Sequence, residues 1–291
     1  MSRSRAARSP DRAQRGFRVA ALRTAFRTVG TVAPGIAAQW AEQLFCRPPR
    51  QERREHEEAF LDTGRAFAVP HGAGALRAWE WGAGPAVVLV HGWGSRAGRW
   101  STLAPALIGR GFRVVTYDAP AHGTSPGRIA SLPEFALALA AVAGEVGPVH
   151  GVVGHSLGAA AIALALTRGL GASRAVLIAS PANPEGFADR FAEVLAIPAP
   201  VREAMQRNLE ARLRFQWRDL HIPTLAARIT APALLIHDEH DPDVSVGDAA
   251  AIAAAWPGAR LIRTQCLGHR AIIRDPAVVA AAAEFIAGAP A

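Results

Sequence analysis

At 291 residues the chain has the length for one large α/β domain with a modest insertion, and its 50% hydrophobic and 19% charged content is that of an ordinary globular protein. No apolar run reaches the length of a membrane span; Pro34, Gly35 and the flanking arginines interrupt the best candidate. The net charge of +8 does not mark a nucleic-acid-binding surface, because residues 1–30 hold eight arginines against Asp11 and so carry +7 of it.

All the basic residues are arginine, and the two cysteines, Cys46 and Cys266, have neither metal nor disulfide spacing. Both are expected to be packing residues in a reduced compartment. Residues 1–16 are polar and basic and are expected to lack structure. Phe17, Ala21, Leu22 and Phe26 suggest one apolar face of a basic helix over Phe17–Arg27. The favoured reading packs this helix on its own domain; the alternative is a weak contact with an anionic membrane surface. The expected location is cytoplasmic, with peripheral membrane attachment as the variant of it.

Ile36–Phe45 reads as a short helix ended by Pro48-Pro49, and Gln51–Phe60 as a charged, solvated one. Arg65–Val69 and Ala75–Trp81 flank His71-Gly72-Ala73-Gly74 as a hairpin. The fully apolar Ala86–Val90 is a strand of the kind buried in a parallel sheet. From there helices and strands alternate: helix Arg99–Arg110, strand Arg113–Asp118, helix Leu132–Val146, strand Val149–Val153 with a helix behind it, and strand Arg174–Ser180. After a gap come strand Ala233–His237, helix Val246–Ala255, strand Arg260–Thr264 and helix Pro276–Ile286. Such alternation predicts a mostly parallel sheet of about eight strands with helices on both faces.

The gap between Ser180 and Ala233 has helical periodicity and no strand. Phe187, Phe191, Val194 and Leu195 are read as one face, and Val201, Met205, Leu209 and Leu213 as another. Residues 181–228 are expected to form a helical cap inserted after the sixth strand, at the sheet edge where such folds bind ligands. Residues 1–60 are a basic tail and helical arm; 61–180 and 229–291 form the core. The aromatic cap residues Phe187, Phe191, Phe215 and Trp217 are candidates for a substrate pocket, with core packing as the equal alternative.

The chemistry centres on Gly154-His155-Ser156-Leu157-Gly158, where an apolar strand meets an Ala/Leu-rich helix. A second match to the same pattern, Gly123-Thr124-Ser125-Pro126-Gly127, follows a loop with no helix behind it and reads as a turn. A serine hydroxyl needs a base to take its proton and a carboxylate to orient that base. Strand Ala233–His237 leads into an acid-rich loop, Asp238 to Asp243, and strand Arg260–Thr264 leads into Gly268-His269-Arg270. The loop His91-Gly92-Trp93-Gly94 supplies a backbone N–H at Trp93 for an oxyanion, and Leu157 supplies the other.

From about Ala75 to its end the chain resembles the α/β-hydrolase superfamily. The marks are HGWG after the third strand, YDAPAHGTS after the fourth, GHSLG after the fifth, DEHDPDVSV after the seventh and GHR after the eighth. The resemblance implies Ser156 as nucleophile, His269 as general base and Asp241 as orienting acid, with Asp238 and Asp243 as rivals to Asp241. It implies an enzyme that cleaves a carboxylic ester or thioester of a small-to-medium apolar molecule, with no metal or organic cofactor and no nucleic-acid partner. An amide, lactone or carbon–carbon bond as target, perhydrolysis, and a non-catalytic ligand receptor are the alternatives.

Overall fold

The computed structural model describes residues 10–288. They divide into two compact units, one of residues up to Phe45 with Glu185–Trp217, the other of Cys46–Pro184 with Arg218 onward. The first unit joins two stretches that periodicity alone leaves separate. It contains α1 (Pro10–Val32), α2 (Pro34–Phe45), α7 (Glu185–Leu195) and α8 (Ala199–Leu213). Ala37, Ala38 and Ala41 bury one side of α2, which packs on α8 and α1, while Val201, Met205 and Leu209 form the buried stripe of α8. Polar ties run across the same packing: Arg212 Nε to Glu42 Oε1 at 2.7 Å, and Arg23 Nε to the Val194 carbonyl at 2.7 Å.

Three expectations for this unit change. The expected unstructured stretch lies outside the described residues as far as residue 9, but from Pro10 onward it is helix. Phe17 is 77% exposed and Phe26 buried. At 100° per residue nine positions turn the helix by about 180°, so the two phenylalanines lie on opposite faces. On α7 the buried positions are Ala188, Ala192 and Leu195, with Val194 exposed, so the face is rotated toward the alanines.

The second unit is built on α3 (Glu55–Asp62), β1 (Arg65–His71), β2 (Gly74–Trp81), β3 (Ala86–Val90), α4 (Leu103–Ile108), β4 (Arg113–Tyr117), α5 (Leu132–Val146), β5 (Val149–His155), α6 (Leu157–Thr167) and β6 (Ala172–Ile178). After the excursion into the first unit it resumes with α9 (Ile222–Ala226), β7 (Ala233–Asp238), α10 (Val246–Ala255), β8 (Arg260–Thr264), α11 (Gly268–Ala271) and α12 (Pro276–Ala287). Its sheet has the order β1-β2-β4-β3-β5-β6-β7-β8. Only the β1–β2 and β2–β4 pairings are antiparallel.

Strand alternation gives the sheet two buried faces. Val87, Leu89, Val114, Val153, Val176, Ile178, Leu234 and Ile236 pack with residues of α4 and α12 on one. The glycines of β5 mark both: a Cβ on Gly151 would come 2.8 Å from Ile286 of α12, and one on Gly154 2.7 Å from the backbone of Ala159 in α6.

Three further expectations change here. The helix read over Arg99–Arg110 is a 3₁₀ turn, Ala97–Trp100, followed by α4, whose early Pro105 suits a first turn and not a helix interior. The charged stretch 51–60 is not a wholly solvated face, because Glu57 is only 1% exposed. Cys46 is buried, whereas Cys266 is exposed and not a packing residue. Among the described residues no helix is long and apolar enough to cross a membrane.

Candidate active site

Because β3, β5, β6, β7 and β8 run parallel, the loops after them emerge at one sheet edge. Ser156 follows β5 directly, with φ 54° and ψ −122°, and its amide donates to the Ile178 carbonyl at 2.9 Å. A left-handed backbone on a non-glycine residue is strained, and the neighbours hold it there. A Cβ on Gly158 would stand 2.4 Å from the carbonyl oxygens of both Val90 and His91. Together with Gly154, this lets α6 approach the strand ends closely enough to lift the serine to the apex.

The His269 ring joins the two other groups. Its Nε2 lies 2.9 Å from Ser156 Oγ and its Nδ1 2.7 Å from Asp241 Oδ2. A carboxylate can only accept, so Nδ1 carries the proton and Nε2 faces the hydroxyl with a free lone pair. Asp241 Oδ1 accepts from the amides of Asp243, at 2.8 Å, and Val244, at 3.0 Å. Burial alone would raise the Asp241 pKa, but hydrogen bonds from His237, His269 and those two amides outweigh it and hold the carboxyl well below the usual range. Its rivals are placed otherwise. Asp238 accepts from Thr264 Oγ1 and the Leu267 amide, fastening the loop that carries His269, and Asp243 contributes its amide to Asp241.

The His91–Gly94 loop lies against the serine: a Cβ on Gly92 would be 3.0 Å from Ser156 Cβ. The Gly94 amide donates to His122 Nε2 at 3.0 Å, and His91 Nε2 accepts from the Ala119 amide at 2.9 Å. Both rings are therefore neutral acceptors that tie this loop to the one after β4. Burial lowers both pKa values, that of His122 to about 3. The amides of Trp93 and Leu157 donate to no backbone carbonyl among the described residues. Leu157 is the first residue of α6, so its N–H is one that the helix itself leaves unpaired.

The sequence model of the alpha/beta hydrolase family matches residues 87–282, which span the whole of this edge. The chain belongs to the alpha/beta hydrolase family. Within it the chain is similar to the pimeloyl-[acyl-carrier protein] methyl ester esterase of Methylococcus capsulatus, at 46% identity over 78 residues, 27% of this chain and 30% of that one. It is 30% identical over 123 residues to a non-heme haloperoxidase of Rhodococcus erythropolis, covering 37% and 44% of the two chains. The matched segments thus span less than half the length of these curated relatives. Among solved structures, the esterase Pf2001 of Pyrococcus furiosus superposes with a TM-score of 0.64 at 19% identity, over 82% of this chain and 98% of the other, a likeness of fold.

Two histidines of this chain do more than their sequence positions suggest. His155, next to the serine, points its Nε2 at the His269 carbonyl, 2.7 Å away, and so braces the loop that carries that ring. Burial, with the His269 ring as the next cause, lowers its pKa to about 3, which keeps it a neutral N–H donor. His237 donates from Nε2 to the Val244 carbonyl at 3.0 Å with Asp241 Oδ2 at 3.5 Å. The signal for both was their position at the C-terminal ends of β5 and β7. The four aromatic candidates belong to the first unit. There Phe191 meets Phe45 edge-on at 5.3 Å, Trp217 lies 6.1 Å from Phe45 and 6.2 Å from Phe215, and Phe187 stacks under Arg190. Among the described residues no group of three His, Cys, Asp or Glu side chains could hold a metal ion.

Proposed function

We propose that this alpha/beta hydrolase is a serine esterase that cleaves a carboxylic ester or thioester of a small-to-medium apolar molecule through an acyl-enzyme. The observation that carries this reading is the unbroken chain Asp241–His269–Ser156, at 2.7 and 2.9 Å, ending on a serine with strained backbone. As Ser156 Oγ attacks the carbonyl carbon, its proton passes to His269 Nε2, and the carbonyl oxygen becomes an anion received by the N–H groups of Trp93 and Leu157. Asp241 stabilises the imidazolium so formed. His269 then protonates the departing alcohol or thiol as the tetrahedral intermediate collapses to acyl-Ser156. Water, giving its proton to His269, attacks the acyl carbon and frees the acid and the serine. The ester as scissile bond is supported by the methyl ester esterase name of a relative 46% identical over 78 residues.

The test is intact-mass spectrometry after incubation with a fluorophosphonate. One adduct is expected on the wild type, none on Ser156→Ala and a slowed one on His269→Ala. Ser156→Ala should also lower kcat on a p-nitrophenyl ester by about 10⁴- to 10⁶-fold. Unlabelled, folded wild-type protein, or a Ser156→Ala variant that keeps its esterase rate, would overturn the proposal.

A further inference from the structure

Residues 46–62 precede the segment matched by the family, yet they are stitched to the loops at the active edge by a series of charges. Arg50 donates to the carbonyls of Ala121, Ser125 and Gly127, all in the loop after β4. Arg53 pairs with the buried Asp118 at 2.8 Å, and Asp118 Oδ1 in turn accepts the Ala97 amide at 2.8 Å. Pro49 packs so closely on Gly94 that a Cβ there would lie 2.9 Å from its ring. The last contact of the series is the most buried. Glu57, at the start of α3, accepts from Arg96 Nε at 2.5 Å, with exposures of 1% and 3% for the two residues. Its other oxygen lies 3.8 Å from Arg99 Nη1, and Arg99 Nη2 reaches the carbonyl of Arg270 at 3.4 Å.

The position of these partners is what matters. Arg96 comes three residues after Trp93, and Arg270 directly follows His269. One carboxylate on α3 therefore holds two guanidinium groups, one rooted in the loop that offers the Trp93 N–H and one touching the loop that carries the base. We infer that Glu57 is a positioning residue for catalysis, which sets the register between the oxyanion donor and the general base. A buried pair of this kind fixes geometry more than it adds stability, because both charges lose their hydration to make it. Loss of the carboxylate frees Arg96 to seek water, and its loop moves with it. Transition-state stabilisation suffers first, since the oxyanion donor must lie within a few tenths of an ångström of its target, while ground-state substrate contacts are spared.

This inference rests on the esterase reading, and the experiment separates the two. Wild type, Glu57→Gln, Glu57→Asp and Arg99→Met are compared on one p-nitrophenyl ester and with one alkyl boronic acid, which forms a tetrahedral adduct on an activated serine. Glu57→Gln should lower kcat about 10- to 100-fold and weaken boronic acid inhibition in parallel, with KM within about threefold of wild type. Glu57→Asp keeps the charge but falls short of Arg96, and should recover only part of the loss; Arg99→Met should show a smaller loss of the same kind. Circular dichroism and urea unfolding confirm that each variant is folded at the assay temperature. If Glu57→Gln is folded and its kcat stays within twofold, or if stability falls while boronic acid affinity does not, the inference is overturned. Should Glu57→Gln fail to fold, Arg99→Met decides by the same criteria. A wild type that neither hydrolyses esters nor labels with fluorophosphonate overturns the esterase reading instead.

Discussion

At the scale of single residues, Asp241 is the member of the site whose chemistry can be tested most sharply. One of its oxygens is committed to two backbone amides and the other to His269. In Asp241→Asn the amide oxygen stays with the Asp243 and Val244 amides, which can only donate. The new NH₂ then faces His269 Nδ1, which must become an acceptor, so Nε2 takes the proton and can no longer receive one from Ser156. The fold should be unaffected and kcat should drop by about 10⁴-fold. Steady-state kinetics on an ester check it; a loss under tenfold would mean that His269 takes its orientation from elsewhere. The serine, the histidine and the acid-rich loop were all visible as residues placed after strands in the order that a triad needs. The brace from His155 and the support from His237 were not, because a histidine at a strand end has no local pattern that tells which backbone atom it will meet. Glu57 escaped for the same reason. Its partners lie 39 and 42 positions away, and a charged helical stretch reads as solvated until something is packed on it.

At the scale of elements, the position of Ser156 depends on how closely α6 approaches β3, and glycine sets that distance. Gly158→Ala would bring a Cβ to 2.4 Å from two carbonyl oxygens of the backbone, which no side-chain rotation relieves. The helix has to shift, carrying the Leu157 N–H with it. Gly158→Ala is expected to lose about 1–3 kcal/mol of stability. It should also lower kcat by on the order of 10²-fold, through misplacement of that donor. Gly144→Ala in α5 is the companion change, exposed and with nothing within 4 Å of the added methyl. It should stabilise the protein by about 0.5–1 kcal/mol, because alanine is the better helix former. Urea unfolding and ester kinetics on both variants check the pair, and equal effects would refute the close-approach argument. The strands of the sheet were legible to within a few residues because a buried parallel strand is a short, uninterrupted apolar run. Helix faces were less so: on α7 the buried positions are Ala188, Ala192 and Leu195 while Val194 lies in solvent, and on α1 Phe26 is buried while Phe17 is exposed.

At the scale of the whole molecule, local periodicity gave the sheet but not the grouping of α1 and α2 with α7 and α8, which depends on contacts about 170 positions apart such as Arg212 with Glu42. The second unit has a property that no single element carries: it folds around histidines that must stay neutral. His122 is 1% and His155 7% exposed, and burial lowers both pKa values to about 3. In the unfolded chain they titrate at the ordinary value of about 6.5. Between those limits the unfolded state binds more protons than the native one, so stability is full above pH 6.5 and falls as the pH drops toward 3. At pH 5 the loss is about 2 kcal/mol for each such imidazole. The two carboxylates with lowered values do not account for a loss in this range. Asp238 and Asp241 are held below their usual values by hydrogen bonds that outweigh burial, so their contribution declines only under about pH 4. The free energy of unfolding in urea, measured at pH 7.5, 6 and 5, should therefore decrease steadily over this range. In His155→Gln, which keeps an N–H for the His269 carbonyl but has nothing to titrate, the slope should be shallower by close to one histidine's share. A wild type equally stable at pH 7.5 and 5 would mean that these rings gain protons without leaving their places.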